Sequence, residues 1–377
     1  MTELNQHLDN GLFISGLILF TLTILTQLYY IFFIFRRLAF YKVPDTIEEE
    51  MPLSIIIAAR NDGVALQENL EFILSQKYSM FEVIVVNNNS IDNSEHVLSE
   101  LKKEYSHLKI VEYNNGKHIR PGKKLPLTIG IKAAENNHLI FTDADCKPAS
   151  QFWLKTIANG FNNKEEVILG YGPYHKTSGI LNSIIRFDTA WIGINYFSFA
   201  LSKKPYMGIG RNLAYTKEAY LSVDGFKSHH SLASGDDDLF IQEVSKKSTL
   251  GIQIDPKSFC FSHSKKTYSD WINQKSRHYT TSTKYGFIKK LLLAIYPVSL
   301  ILAWFSFVSL VIVGNSNFIF VMIMSLFYLL KWWIQGRCLF KLNERSFAFL
   351  FPFWDMFYSV LSPFIFLLGK TKRNNTW

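Results

Sequence analysis

The sequence predicts an α/β protein, with a doubly wound, mostly parallel sheet in a domain flanked by membrane-spanning helices. Three observations carry this expectation. Short apolar runs alternate with helix-patterned segments between residues 52 and 143, the order that builds a parallel sheet. Long uncharged runs lie near both ends of the 377-residue chain. The run His138–Leu139–Ile140–Phe141–Thr142 stops abruptly at Asp143–Ala144–Asp145, which puts two carboxylates at the end of a buried strand, where open α/β sheets bind their ligands.

The elements follow in order. Pro52–Ala59 reads as a strand ending in Arg60–Asn61–Asp62–Gly63, and Val64–Gln76 as a helix with Leu66, Leu70, Ile73 and Leu74 on one face. Phe81–Val86 is a second strand leading into Asn87–Asn88–Asn89–Ser90–Ile91–Asp92, followed by a helix through Leu101 with Lys102 and Lys103 near its end. Leu108–Tyr113 is a third strand. A loop with Gly122–Lys123–Lys124 and a helix to Ala134 then precede the strand that ends at Asp143. Each strand end aims polar groups at one rim. Further on, Gly179–Leu201 is rich in Ile, Phe and Trp and reads either as a core helix or as an interfacial helix against lipid headgroups. Pro205–Asn212, with Gly208 and Gly210, is a loop ahead of the strand Leu213–Tyr215.

Gly11–Phe35 carries no charged side chain, enough to cross a hydrocarbon core about 30 Å thick. Its length and the lack of a basic segment before it argue against a cleaved signal peptide. Arg36, Arg37 and Lys42 follow it while Glu3 and Asp9 precede it, so the positive-inside rule places residues 1–10 outside and residue 36 onward in the cytoplasm. Leu291–Val313 and Phe318–Ile334 read as two further spans joined by the turn Gly314–Asn317. Lys331, Arg337, Lys341 and Arg345 mark the return to the cytoplasm. The expected organisation is a span at 11–35, a cytoplasmic domain at 36–290, two spans at 291–334 and a tail at 335–377. Phe347–Leu368 is apolar but holds Pro352, Asp355 and Pro363, and precedes Lys370, Lys372 and Arg373; a full span and a re-entrant segment both fit. The location implied is the inner, cytoplasmic membrane, with the bilayer itself as a partner.

The formal net charge of +9 suits attraction to anionic lipid, and with no basic run interleaved with aromatics a nucleic-acid partner is not expected. Cys146, Cys260 and Cys338 are odd in number and lack zinc-ligand spacing, so they imply neither a disulfide framework nor a zinc site. His229, His230 and His263 have no partner spacing for a metal. Two carboxylates as close as Asp143 and Asp145 repel unless a cation sits beside them, and Mg2+ or Mn2+, hard ions that share oxygen ligands with diphosphates, answer that need. In isolation, an Asp-x-Asp is more often a solvated turn.

Taken together, these motifs resemble the inverting family 2 glycosyltransferases of GT-A (Rossmann-like) fold over about residues 52–280. The family's first strand ends in an Asn-acidic turn, here Asn61–Asp62; its second ends in Val-Val-Asp-Asp-Gly-Ser-x-Asp, here Val85–Asp92. Gly122–Lys123 matches its Gly-Lys loop, and Asp143–Ala144–Asp145 its metal-binding Asp-x-Asp. Ser234–Leu239 matches its acidic block, and Gln274–Lys275–Ser276–Arg277–His278 its Gln-x-x-Arg-Trp box. The resemblance implies a nucleotide-sugar donor, with Asp145 and Asp143 at the metal and Asp62, Asn88, Lys123, Asp143, Gln274 and Arg277 around the donor. Asp236, or Asp237 with a one-residue shift, is the implied catalytic base. The helix-start reading of that block, acids ahead of Leu239–Val244, is compatible with either. Gly210, Arg211, Asn212 and His278 fall on the acceptor side. Asn88 stands where the family has a carboxylate, so a uridine donor is expected, although an amide can also pair with cytosine. His278 in place of Trp implies transfer of a single sugar to a membrane lipid or lipid-linked acceptor. The fold and spans are similar to those of ceramide glucosyltransferases and polyprenyl-phosphate sugar transferases. A processive polysaccharide synthase and a non-catalytic membrane scaffold are the competing readings.

Overall fold

The computed structural model describes residues 2–44, 50–113, 122–162, 164–313 and 318–371. The expected turn Gly314–Asn317 and the bases Lys372 and Arg373 lie outside them. The chain divides into two compact units, one of residues 2–41 and 285–367, the other built on residues 42–284.

The second unit holds the sheet. Its strands are β1 (Leu53–Ala59), β2 (Phe81–Asn88), β3 (Leu108–Tyr113), β4 (His138–Thr142), β5 (Lys147–Pro148), β6 (Val167–Leu169), β7 (Leu213–Thr216), β8 (Leu250–Ile252) and β9 (Cys260–Phe261). Seven of them form one sheet in the order β3-β2-β1-β4-β7-β6-β8, while β5 and β9 pair separately. β1, β2, β3 and β4 are parallel, as their uninterrupted Val/Ile/Leu runs require of strands covered on both faces. Leu53, Ile55, Ile57, Val83, Val85 and Ile140 pack under Leu66, Leu70, Ile73, Trp153 and Ile157 on one face. On the other, the helix Lys124–Ala133 presses so close that a side chain at Gly130 would come within 2.6 Å of Ile56. β7 runs antiparallel to both β4 and β6, with Leu213 opposite Phe141. This reversal matters for the site, because β7 presents its amino end at the rim where β1, β2 and β4 present their carboxyl ends. The loop before β7, rather than the one after it, therefore reaches that rim.

The helix Ile180–Leu201 is a core helix: Ile184, Ile185, Phe187, Ala190, Ile194, Tyr196, Phe197 and Phe199 are all buried. Of the two readings of this stretch, the interfacial one is thereby set aside for the helix body. Buried Asp188 forms an ion pair with Lys275, fastening this helix to the helix Tyr268–Ser282.

Among the described residues, the other unit contains four helices long and apolar enough to cross a membrane: Gly11–Ala39, Phe287–Val313, Phe318–Lys341 and Phe351–Leu368. The first helix begins at Thr2, so residues 2–10 continue it rather than forming a separate segment, and it passes through a π-helical turn at Tyr30–Phe35. The stretch Phe347–Leu368 falls on two helices, its first residues in the short helix Arg345–Phe349 and the rest in one helix, Phe351–Thr371. Polar side chains pin these helices together. Gln27 donates to the Tyr296 carbonyl at 2.7 Å and to Ser299 Oγ at 2.8 Å, and Gln335 donates to the Tyr296 hydroxyl at 2.8 Å. Lys331, read from sequence as an orientation signal, instead lies fully buried in an ion pair of 2.5 Å with Asp355. Trp332 donates to the Ala348 carbonyl in the short helix Arg345–Phe349, while the Lys331–Asp355 pair joins the last helix to its predecessor. A charge at such depth persists only when paired, and here each ion answers the other.

Candidate active site

The rim built by the ends of β1, β2, β4 and β7 gathers most of the expected residues. Lys123, at the start of the helix Lys124–Ala133, donates to Asp143 Oδ1 at 2.5 Å. These two line a cleft with Asp236, Gly210, Thr142 and Tyr215. Burial alone lowers the pKa of the Lys123 ammonium, but the carboxylates of Asp143, Asp236 and Asp145 outweigh it and hold the amine charged. Asp62 receives the Arg60 amide at 2.9 Å. Burial raises its pKa, and Asp145 and Asp143 add to the rise against Lys123. Asn88 closes β2 and is buried. Its neighbour Asn87 points away, donating to both carboxylate oxygens of Glu112.

Asp143, Asp145 and Cys146 bring one potential ligand atom each within 4.8 Å of one another. The carboxylates, one half-exposed and one exposed, are hard oxygen donors suited to Mg2+ or Mn2+. The buried Cys146 thiol is a different case. Its hydrogen bond with Cys260 and its burial push its pKa well up, so it stays protonated and is a poor ligand. The donor set thus fits a hard divalent ion held by Asp143 and Asp145.

The three consecutive aspartates separate cleanly. Asp236 faces the cleft; burial raises its pKa, opposed by Lys123 and reinforced by Asp143. Asp237, the alternative base, is spent on backbone: Oδ2 accepts from the Gly210 amide at 3.1 Å and Oδ1 from the Asp238 amide at 2.7 Å, at the start of the helix Asp238–Val244. Asp238 is buried and accepts from Thr281 Oγ1 at 2.5 Å. Asp237 therefore ties the Gly210 loop to the acidic block, while Asp238 ties in the helix Tyr268–Ser282.

Sequence reasoning missed the residue that sets this block in place. Lys124 is 6% exposed, and its ammonium donates to the carbonyls of His229, Leu232 and Ser234 at 2.7, 3.1 and 2.6 Å. Gly122 makes room for the same segment, since a Cβ there would lie 3.1 Å from the Ala233 carbonyl. The signal was present. Lys124 falls on the buried stripe of its helix with Leu127 and Ile131, where a lysine needs a fixed set of acceptors.

Among the residues expected on the acceptor side, the Arg211 guanidinium lies 4.3 Å from the centroid of the Tyr174 ring and donates to Ser262 Oγ at 3.0 Å. Its carbonyl accepts from Thr142 Oγ1 at 3.0 Å. Gln274 donates to the Tyr174 hydroxyl at 3.1 Å, joining this network. Asn212 does not face a ligand: its amide donates to the carbonyls of Tyr171 and Ser258 and its oxygen accepts from Trp153, all in the core. Asp92, the last residue of the Val85–Asp92 match, is likewise turned to its neighbours, accepting from the Ser94 amide and hydroxyl at the start of the helix Ser94–Glu104 and from the Gly63 amide. Arg277 and His278 occupy the second half of the helix Tyr268–Ser282. Desolvation and then the charges of Lys275, Arg277, Arg211 and Lys123 push the His278 ring down to about 3. Both causes act in the same direction, against the charged ring. His278 is neutral.

A half-parallel sheet whose rim joins an Asp-x-Asp turn, a lysine and a cleft-facing aspartate defines the GT-A class of transferases. Residues 54–218 match glycosyl transferase family 2, and residues 140–338, more than half the chain, match glycosyl transferase family group 2. The chain belongs to this glycosyltransferase family. It is 29% identical over 144 residues to a poly-beta-1,6-N-acetyl-D-glucosamine synthase of Staphylococcus epidermidis, a match covering 37% of this chain and 33% of that one. It is 31% identical over 118 residues to a beta-monoglucosyldiacylglycerol synthase of a Nostoc species, covering 29% and 24%. The chain thus spans a third or less of the length of these relatives. The solved mannosyltransferase PcManGT of Pyrobaculum calidifontis, in complex with GDP-Man and Mn2+, shares its fold at a TM-score of 0.56 and 15% identity, covering 93% of this chain and 99% of that one.

Proposed function

We propose that this chain transfers one sugar, with inversion, from a nucleotide-diphosphate sugar to a lipid or lipid-linked acceptor at the cytoplasmic face of a membrane. The observation that carries the reading is the convergence of Lys123, Asp143 and Asp236 on one cleft beside Asp145. The acceptor hydroxyl attacks the anomeric carbon from the side opposite the diphosphate. A new C–O bond forms as the bond to the diphosphate oxygen breaks. Asp236 takes the hydroxyl proton, and burial suits it to that role by raising its proton affinity. Lys123 and Arg277 offer cationic donors to the departing phosphates. Asp143 and Asp145 would hold Mg2+ or Mn2+, which when bound supplies Lewis-acid stabilisation of that leaving charge. Asn88 borders the base pocket, where an amide accepts from a uracil N3–H and donates to O4. The lipid acceptor is supported by four helices fit to cross a membrane and by a relative named for a glucosyldiacylglycerol. The relative named for a polysaccharide favours a processive synthase instead; His278 in place of the family's tryptophan weighs against it, and product length separates the two.

The test is binding and slow hydrolysis of a panel of nucleotide sugars by detergent-purified protein with Mn2+, with Mg2+ and with chelator. Asp145→Ala runs beside it. One UDP-sugar should bind only with metal, and the variant should lose that binding by about a hundredfold or more, the scale of several kcal/mol of metal stabilisation. A folded protein that binds no donor sinks the reading and leaves a membrane scaffold.

A further inference from the structure

The helix Ile180–Leu201 is buried along its body but not at its tip. Ile180 is 74% exposed, and the four residues before it, Lys176–Gly179, are exposed as well. A second loop emerges beside it. Tyr174 bridges Ser262 and the His175 amide donates to the Ser262 carbonyl, so the two chains leave the sheet together. Asn182 then cross-links them. Its amide donates to the His175 carbonyl at 3.0 Å and to Ser264 Oγ at 2.9 Å, while its oxygen accepts from the Thr177 amide at 3.0 Å. The second loop carries exposed Lys265 and Lys266 and ends at Tyr268, 52% exposed. Residues 176–180 and 264–268 contain no acidic side chain, and the first one beyond them, Asp270, is turned back onto Thr267 Oγ1 at 2.7 Å.

We propose that this two-loop tip docks onto an anionic bilayer surface, with Ile180 and Tyr268 entering the interface and Lys176, Lys265 and Lys266 on the headgroups. The chemistry favours lipid over a protein partner. An aliphatic and an amphipathic aromatic side chain ringed by long flexible ammonium groups is what an interfacial contact uses. Continuity adds to it. The helix that starts at Tyr268 ends at Ser282, and only four residues separate it from the apolar helix Phe287–Val313. The inference rests on the reading that this chain works at a membrane, and it commits to a lipid charge that the transferase reading does not require.

The experiment is hydrogen–deuterium exchange on full-length protein in nanodiscs of phosphatidylcholine alone and of phosphatidylcholine with phosphatidylglycerol. Peptides covering 176–180 and 264–268 should exchange about tenfold more slowly in the anionic discs, a little over one lysine's worth of surface attraction. The triple substitution Lys176→Ser, Lys265→Ser, Lys266→Ser should return them to the rate in neutral lipid, and Ile180→Ser with Tyr268→Ser should speed exchange as well. Equal exchange in the two lipids, or a triple variant that stays protected, overturns the proposal. Donor binding by these variants should match wild type. Absence of donor binding in the wild type counts against the transferase reading alone, because exchange does not depend on turnover.

Discussion

Two acidic stretches meet at the rim, and they use their carboxylates in opposite ways. In Asp143–Ala144–Asp145 both side chains stay available, one against Lys123 and one open to solvent. In Asp236–Asp237–Asp238 two of three are consumed, Asp237 by the amides of Gly210 and Asp238 and Asp238 by Thr281. The first stretch follows a strand directly, where side chains fan out over the rim. The second opens a helix, whose unpaired amides and neighbouring elements claim nearby acceptors. A run of identical residues is thus divided by backbone geometry, and Asp236 is the member left facing the cleft.

The sharpest way to break that division is at Asp236. Asp236→Asn should lower kcat by about a hundred- to ten-thousandfold while donor binding persists; transfer at the wild-type rate would exclude it as the base. Its pH dependence has a definite sign. The base must be ionised, and its pKa is raised by burial against the pull of Lys123. Activity should therefore fall with acid at a pH above the ordinary aspartate range, and Lys123→Met should move that limb higher still. A limb that moves down in the variant contradicts the assignment.

Lys124 tests whether the block is held from outside. Lys124→Met removes the ammonium from three carbonyls and should cost about 2–3 kcal/mol in urea unfolding, since charge-assisted bonds exceed neutral ones. It should also lower kcat more than it raises the donor KM, because the segment it holds carries Asp236 and not the Asp-x-Asp turn. A variant with unchanged stability and unchanged kcat would show that the carbonyls find other donors at no loss.

Asp237 is the control within the run. Asp237→Ala gives up the bonds from Gly210 and Asp238 and should destabilise by about 1–2 kcal/mol, with kcat of the folded fraction close to wild type. A loss of kcat as deep as that of Asp236→Asn would merge the two roles again.

How far the sequence reached follows the same logic. The parallel strands were legible because their apolar runs are long and uninterrupted, and the Asp-x-Asp turn because it ends one of them. β6 and β8 were not, being three residues each and without periodicity of their own. The sequence placed a side chain well where its position depends on its own strand end, as for Asp143 and Asp62, which reach the same rim. It failed where the role depends on a distant partner. Asn212 looks like a ligand in sequence, but Trp153, some sixty residues earlier, claims its oxygen. Lys331 looks like an orientation signal until Asp355 is brought beside it. Asp237 and Asp236 are indistinguishable until Gly210 chooses between them.

The smallest expected effect concerns Asn88, and it sharpens the comparison from the donor side. It sits at the end of β2, the strand next to β1 and one removed from β4, on the same rim as Asp143, yet it carries no charge. Asn88→Asp would restore the residue type the family places there. An ionised carboxylate only accepts, so it favours a base that donates from N3, as uracil does and cytosine does not. The expected outcome is a gain of about tenfold in preference for UDP- over CDP-sugars, one hydrogen bond's worth, with little change in kcat. If the preference does not move, Asn88 does not touch the base, and Asp62, the other polar side chain at a neighbouring strand end, becomes the residue to vary.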